Sequence, residues 1–244
     1  MEAVILAGGF ATRLYPLTKE RAKPLLPVAG RPAVEWILKP LFSLAESGLT
    51  RIIVVTSERF AEDFRRTLTG PYPVPIEIVS NGVQTVKDKL GAIGDMMQGV
   101  SRVGISEPFW VLAGDNLFDF SLEEATLSFT GKPTVVLHRT PSPVETREFN
   151  NVILGKNGEI LDFIEKPVRP VSNLFATCIY LFPPYIRTRL EAYLTAGNDP
   201  DKAGHFIQWL AKEEAVYTVE PTGTWFDIGS EAELAEADTH FAKL

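Results

Sequence analysis

The residues best suited to chemistry gather near the amino terminus. Gly8 and Gly9 stand directly after a short apolar run, Arg13 follows four positions later, and Lys23 opens the segment Lys23-Pro24-Leu25-Leu26-Pro27. Glycines let backbone amides approach an anion with no Cβ in the way, and an arginine and a lysine within reach of the same loop can balance several phosphate charges at once. The pattern lacks the Gly-Lys-Ser/Thr ending of a Walker A loop and the Gly-x-Gly-x-x-Gly spacing of a dinucleotide fingerprint, which disfavours an ordinary kinase and a nicotinamide-dependent dehydrogenase. Between Arg13 and Arg31 five basic residues (Arg13, Lys19, Arg21, Lys23, Arg31) face one acid, Glu20, inside a chain whose formal charge is −7. A small polyanion bound near the amino terminus accounts for that local excess; a solvated basic loop is the bland alternative.

Two carboxylates far apart in the chain extend this chemistry. Asp115 directly follows the apolar run 109–112, so it should emerge at the end of a strand, and Asp227 lies in Trp225-Phe226-Asp227-Ile228-Gly229. Two carboxylates plus phosphate oxygens give Mg²⁺ the hard, octahedral oxygen shell it prefers. Glu165-Lys166-Pro167 closes another strand-like run. Pro167 is expected to keep Lys166 extended, although neighbouring residues of a strand point to opposite faces, so both side chains reach one site only if the strand twists or frays. His138, His205 and His240 show no metal-ligand spacing, and the single cysteine, Cys178, reads as a small core residue.

These residues need a frame. Residues 3–7 are continuously apolar and stop at Gly8, as a strand buried on both faces does. A helical apolar spacing runs from Arg31-Pro32 to Ala45, with Gly48 as its cap. Strands then follow at 51–56, 74–80 and 109–112, alternating with helices at 57–68, where Ser57 stands as the cap, and at 87–103. This rhythm predicts an α/β fold, a Rossmann-like doubly wound sheet with helices on both faces and ligands outside the carboxyl ends of the strands. After Thr140 the texture changes. Residues 152–154 and 159–164 flank Lys156-Asn157-Gly158 as a hairpin. Strands at 174–182, 216–219 and 225–228 and helices at 185–194, 205–213 and 231–242 give a more antiparallel second half. A single domain over 1–244 is expected, with a nucleotide-binding half over about 1–140 and a smaller half over 141–244.

In this order the motifs resemble those of the sugar-1-phosphate nucleotidylyltransferases, the pyrophosphorylases that make nucleotide sugars. Gly8-Gly9-Phe10-Ala11-Thr12-Arg13-Leu14 with Lys23-Pro24 looks like that family's triphosphate loop. Leu112-Ala113-Gly114-Asp115 and Trp225-Phe226-Asp227-Ile228-Gly229 resemble its two metal-binding segments, and Phe163-Ile164-Glu165-Lys166-Pro167 its sugar-phosphate motif. The resemblance implies a mixed sheet of the nucleotide-diphospho-sugar transferase type. It implies nucleotide contacts at Leu6, Gly8, Gly9, Thr12, Arg13, Gln84 and Gly91. Sugar-phosphate contacts would come from Asn151, Glu165 and Lys166, catalytic roles from Arg13, Lys23, Asp115 and Lys166, and Mg²⁺ ligation from Asp115 and Asp227. Asn151 replaces a glycine common in the family, Cys178 stands near another, and the spacing from Gln84 to Gly91 is stretched, so the identity of sugar and base stays open. The implied activity joins a nucleoside triphosphate to a sugar 1-phosphate, in the manner of a glucose-1-phosphate thymidylyl- or uridylyltransferase, with mannose-1-phosphate guanylyltransferase as the alternative. A non-catalytic regulatory subunit that binds a nucleotide sugar is the rival from another class.

Composition sets the outer limits. With 244 residues, 45% hydrophobic and 23% charged, the chain can build a sizeable core. Its acidic balance argues against coating nucleic acid, no apolar run reaches the roughly 18 residues of a membrane span, and one cysteine suits a reducing compartment. A cytoplasmic location is expected, with room for a homo-oligomer. The chain ends soon after Asp227, so the additional β-helix of some relatives is not expected.

Overall fold

The apolar run after Met1 forms β1 (Glu2–Ala7), followed by the two-residue strands β2 (Pro27–Val28) and β3 (Arg31–Pro32) and by α1 (Ala33–Phe42). The computed structural model describes residues 1–102, 104 and 106–244. Helix α1 is shorter than its apolar spacing suggests. Pro40 removes one backbone donor from its last turn, and the chain continues as tight turns to Gly48. Next come β4 (Arg51–Thr56), α2 (Glu58–Thr67), β5 (Ile76–Ser80) and α3 (Gly91–Val100). Ser57 occupies the cap position of α2 but makes no capping bond; its Oγ is buried with no partner among the described residues. Helix α3 starts at Gly91, later than expected, and its expected end at Val103 lies outside the described residues.

Strands β6 (Phe109–Ala113) and β7 (Asn116–Phe118), helix α4 (Glu123–Leu127) and strand β8 (Thr134–Arg139) complete the first part. The hairpin then appears as β9 (Asn150–Leu154) and β10 (Ile160–Glu165), paired antiparallel. It is followed by β11 (Leu174–Phe182), α5 (Ile186–Thr195), α6 (Ala203–Glu213), β12 (Tyr217–Val219), β13 (Trp225–Asp227) and α7 (Glu231–Phe241).

Seven strands form one sheet in the order β12-β8-β11-β6-β1-β4-β5. Only β11 runs against the others; β12 joins β8 in parallel, so the second part is less antiparallel than its sequence suggests. Alternate side chains of the central strands feed two cores. Ala3, Ile5, Ile52, Val54, Trp110 and Leu112 face α1, α2 and α7, whereas Val4, Ile53, Val55, Phe109 and Val111 face α3, α5 and α6. The sheet is thus mixed and covered by helices on both faces. No helix among the described residues is long and apolar enough to cross a membrane.

Candidate active site

The carboxyl ends of β1 and β6 lie side by side, because Leu6 is in register with Ala113. The Gly8 loop and Asp115 therefore leave the sheet at the same rim. The reversed strand β11 adds to it. Ile179 pairs with Leu112, so Cys178 comes level with Ala113 and Ala176 continues past the end of β6. These residues line a cleft of about 560 Å³, together with Leu6, Gly8, Gly9, Thr12, Arg13, Lys23, Gly91, Glu165 and Asp227.

Asp227 reaches the cleft through a small ladder. Strand β13 pairs antiparallel with β7, setting Asp227 opposite Asn116, and the Ile228 amide donates to the Asp115 carbonyl at 3.2 Å. Asn116 ties this corner together. Its Nδ2 donates to Asp115 Oδ1 (3.0 Å), while its Oδ1 accepts from the Trp225 indole (3.0 Å) and the Cys178 amide (3.3 Å). Between the two aspartates stands Lys23, with Nζ 2.6 Å from Asp115 Oδ2 and 3.9 Å from Asp227 Oδ1.

The electrostatics follow from that trio. Burial opposes charge on Lys23, but Asp115 and Asp227 outweigh it and hold its ammonium above the ordinary range. Burial likewise works against Asp115, yet the charge and hydrogen bond of Lys23 keep its carboxyl below the usual range. Asp227 is pushed up to about 7, first by burial and then by the negative charge of Asp115. Its Oδ1 is buried with no hydrogen-bond partner among the described residues. An orphaned carboxylate oxygen beside a second carboxylate is the donor set a hard divalent cation accepts. Among the described residues no group of three or more acidic, histidine or cysteine side chains could hold a metal, so the remaining ligands would have to be substrate oxygens and water.

The glycine loop is held by its own hydrogen bonds. Ala11 adopts a left-handed backbone (φ 45°), and its carbonyl accepts from the Leu14 amide (2.9 Å) and the Thr18 hydroxyl (2.7 Å). Those bonds secure a conformation that costs a non-glycine residue about 1–3 kcal/mol, and they present Thr12 and the exposed Arg13 to the cleft.

Three expected site residues stand elsewhere. Asn151 is fully buried outside the cleft. Its Nδ2 donates to the Ser172 carbonyl (2.5 Å) and Thr146 Oγ1 (3.1 Å), and its Oδ1 accepts from the Val171 and Ser172 amides, so it ties β9 to the segment before β11. Lys166 is exposed and does not line the cleft. It has φ 46°, so Pro167 does not keep it extended, and its amide donates to the Phe149 carbonyl. Gln84 is exposed on the segment before the short turn Val86–Asp88 and also lies off the cleft wall. Cys178, expected in the core, is instead half-buried on the wall, its thiol pushed up to about 12 by burial and by the carboxylates around it.

Two charged residues of the cleft that lie outside the motifs bear on its chemistry. Lys202, just before α6, contacts Glu165 at 3.5 Å. Asp95 on α3 is only 7% exposed, and Asn81 Nδ2 donates to its Oδ1 at 2.6 Å. Burial pushes the Asp95 carboxyl up to about 6 despite that bond. Its folded-state affinity for a proton thus exceeds that of the unfolded chain, so its contribution to stability declines as pH rises from about 4 to 6 and the full cost applies above. Asp95→Asn is expected to gain about 2–3 kcal/mol at pH 7.5 and to flatten that part of the pH profile, which urea unfolding at several pH values would check.

Comparison with known proteins gives this geometry a place. The family model described as nucleotidyl transferase matches residues 2–243. The chain belongs to that family. It is 30% identical over 235 residues to the Drosophila melanogaster mannose-1-phosphate guanylyltransferase catalytic subunit beta, covering 93% of this chain and 59% of that protein. The bifunctional protein GlmU of Methanococcus aeolicus is 29% identical over 243 residues, covering all of this chain and 55% of its own length. The chain therefore spans little more than half the length of these curated relatives. A solved UDP-glucose pyrophosphorylase complexed with UDP-glucose superposes with a TM-score of 0.80 at 21% identity, over 99% of this chain and 98% of that one, and supports the fold.

Proposed function

We propose that this nucleotidyl transferase condenses a nucleoside triphosphate with a sugar 1-phosphate, releasing pyrophosphate and a nucleoside-diphosphate sugar. The observation that carries the reading is the convergence of Asp115, Asp227 and Lys23 at the foot of a glycine loop that also bears Arg13. A sugar phosphate oxygen attacks the α-phosphorus in line as the bond to the β-phosphate oxygen breaks. No protein nucleophile is required, so the chain's work is to position two anions and spread their charge. Arg13 and Lys23 hold the triphosphate, with the amides of Gly8, Gly9 and Thr12 along its path and Leu6 and Gly91 flanking the nucleoside.

Asp115 and Asp227 are the residues that would hold Mg²⁺, which when bound neutralises charge on the phosphate oxygens. The buried, unpartnered Oδ1 of Asp227 supports that assignment. Glu165 faces the sugar hydroxyls. Of the two candidate cations for the sugar phosphate, Lys202 stands in the cleft beside Glu165 and Lys166 does not, so we assign the contact to Lys202. The four charged residues of the transfer site argue for an enzyme over a silent regulatory subunit.

The test is pyrophosphate release in the presence of Mg²⁺, with a panel of nucleoside triphosphates and sugar 1-phosphates. Turnover with at least one pair is expected, and silence with every pair would favour the regulatory reading. With the active pair, Lys202→Ala is expected to raise KM for the sugar 1-phosphate by about 10- to 100-fold, the worth of one charge-assisted contact, while Lys166→Ala stays within about threefold of wild type. The opposite ranking would return the contact to Lys166.

A further inference from the structure

The glycine loop rests on a pair of side chains that no motif contains. A Cβ added at Gly8 would collide with Asp95 Oδ2 and stand 2.8 Å from Asn81 Nδ2, whereas one added at Gly9 would meet nothing within 4 Å. Gly8 is thus seated on Asp95 and Asn81, while Gly9 is open. The seat closes into a ring. Thr56 Oγ1 donates to the Ala7 carbonyl at 3.1 Å, and the Asn81 amide donates to the Thr56 carbonyl at 2.9 Å. Asn81 Nδ2 then donates to Asp95 Oδ1 at 2.6 Å, which brings the chain of contacts back beneath Gly8. The Val83 amide donates to Asn81 Oδ1 at 2.9 Å and fixes which way the Asn81 amide group faces.

Nothing in this ring balances a negative charge. Helix α3 carries no other charged residue, and Arg13 is exposed on the loop. The charges of the neighbouring elements are engaged elsewhere: Glu2 of β1 with Arg51 of β4, Lys89 with Asp201, Lys202 with Glu165, His205 of α6 with Asp199, and Arg189 of α5 with Glu214. Among the described residues Asp95 has no cationic partner, and its Oδ2 accepts no hydrogen bond. An anion held by the amides of Gly8 and Gly9 sharpens the conflict, because like charges shielded from water repel strongly. Protonation removes it without disturbing the ring, since Oδ1 still accepts from Asn81 while Oδ2 carries the proton. Burial already tips the carboxyl that way.

We propose that Asp95 is a positioning residue that braces the glycine loop through Gly8 in its neutral form, and that a polyanion bound on the loop draws a proton from solvent onto this carboxyl. The proposal rests on the assignment of the triphosphate to this loop and adds that its affinity is linked to pH from beneath.

The test is calorimetric titration of the full chain with inorganic tripolyphosphate and Mg²⁺, at pH 6 to 8 and in buffers of different ionisation enthalpy. Wild type, Asp95→Asn and Asp95→Ala are compared. Tripolyphosphate carries neither base nor sugar, and both it and Asp227 titrate alike in all three proteins, so differences isolate position 95. From pH 6 to 8 the wild-type affinity should fall about 5- to 25-fold more than that of Asp95→Asn, and at pH 7.5 the wild type should take up about half a proton more per tripolyphosphate. Asp95→Asn keeps the neutral seat and should match the wild type within about threefold at pH 6. Asp95→Ala empties the seat and should bind about tenfold more weakly than Asp95→Asn at every pH. Equal pH dependence in wild type and Asp95→Asn overturns the proposal while leaving the transferase reading intact, and so does an Asp95→Ala variant that binds as Asp95→Asn does. If tripolyphosphate binds none of the three at any pH, the assignment of the triphosphate to the loop fails and the proposal falls with it.

Discussion

Replacing Lys23 with alanine is expected to lower kcat/KM by about 10³-fold, because in the proposed reaction one side chain both meets the triphosphate and separates two acidic groups. Its ammonium lies 2.6 Å from Asp115 and 3.9 Å from Asp227. Removing it leaves those carboxylates uncompensated where the proposed triphosphate would also enter. Truncating one partner of a largely buried charge pair costs about 2–5 kcal/mol, and about 4 kcal/mol, in the upper half of that range, corresponds to the expected loss. Lys23→Arg keeps the charge but presents it as a planar fork in place of a compact ammonium, so partial recovery is expected. Steady-state pyrophosphate release with the active pair provides the measurement. A loss under about fivefold for Lys23→Ala would mean that the triphosphate is held without this residue.

Gly91→Ala is expected to be the most damaging of the small substitutions for stability. Gly91 has φ +76°, and an added Cβ would meet the Pro200 carbonyl oxygen at 2.4 Å and Asp201 Cα at 2.7 Å, both backbone atoms. The left-handed conformation costs alanine about 1–2 kcal/mol and overpacking about 1–3 kcal/mol more, giving roughly 3 kcal/mol and a drop in Tm of about 6–12 °C for a chain of this size. Gly9→Ala is the control. Its Cβ would meet nothing within 4 Å, so its melting temperature should stay within about 2 °C of wild type. Equal melting temperatures for the two variants would show that the 200–201 segment yields easily.

Much of the frame can be read from local pattern. The apolar run before Gly8 and the nine-residue strand Leu174–Phe182 announce themselves through continuous β-forming side chains. The strand Thr134–Arg139 carried the same signal in Val135, Val136 and Leu137 behind Lys132-Pro133, but a change of texture set at Thr140 obscured it. What joins Asp115 to Asp227 is harder to see. Strands β7 and β13 have three residues each, too few for a period, and their pairing exists only through tertiary register. Lys166 and Lys202 show the same limit at single residues. A left-handed backbone at a lysine has no sequence signature, and nothing marks Lys202 except where α6 begins. Asp95 reads in sequence as one polar position on an amphipathic helix, and only the closeness of Gly8 and Asn81 gives it meaning.

The segment around Pro200 and Asp201 does more than crowd Gly91. Its carbonyls accept the Ile93 and Ala92 amides at 2.9 and 3.2 Å, and Asp201 pairs with Lys89 at 2.7 Å. The first turn of α3 is thereby clasped by the stretch of chain that delivers Lys202 to the cleft beside Glu165. If nucleotide and sugar phosphate bind as proposed, ordering of this segment by one would favour the other. Nucleotide and sugar phosphate should accordingly bind with mutual cooperativity, each tightening the other by the same factor.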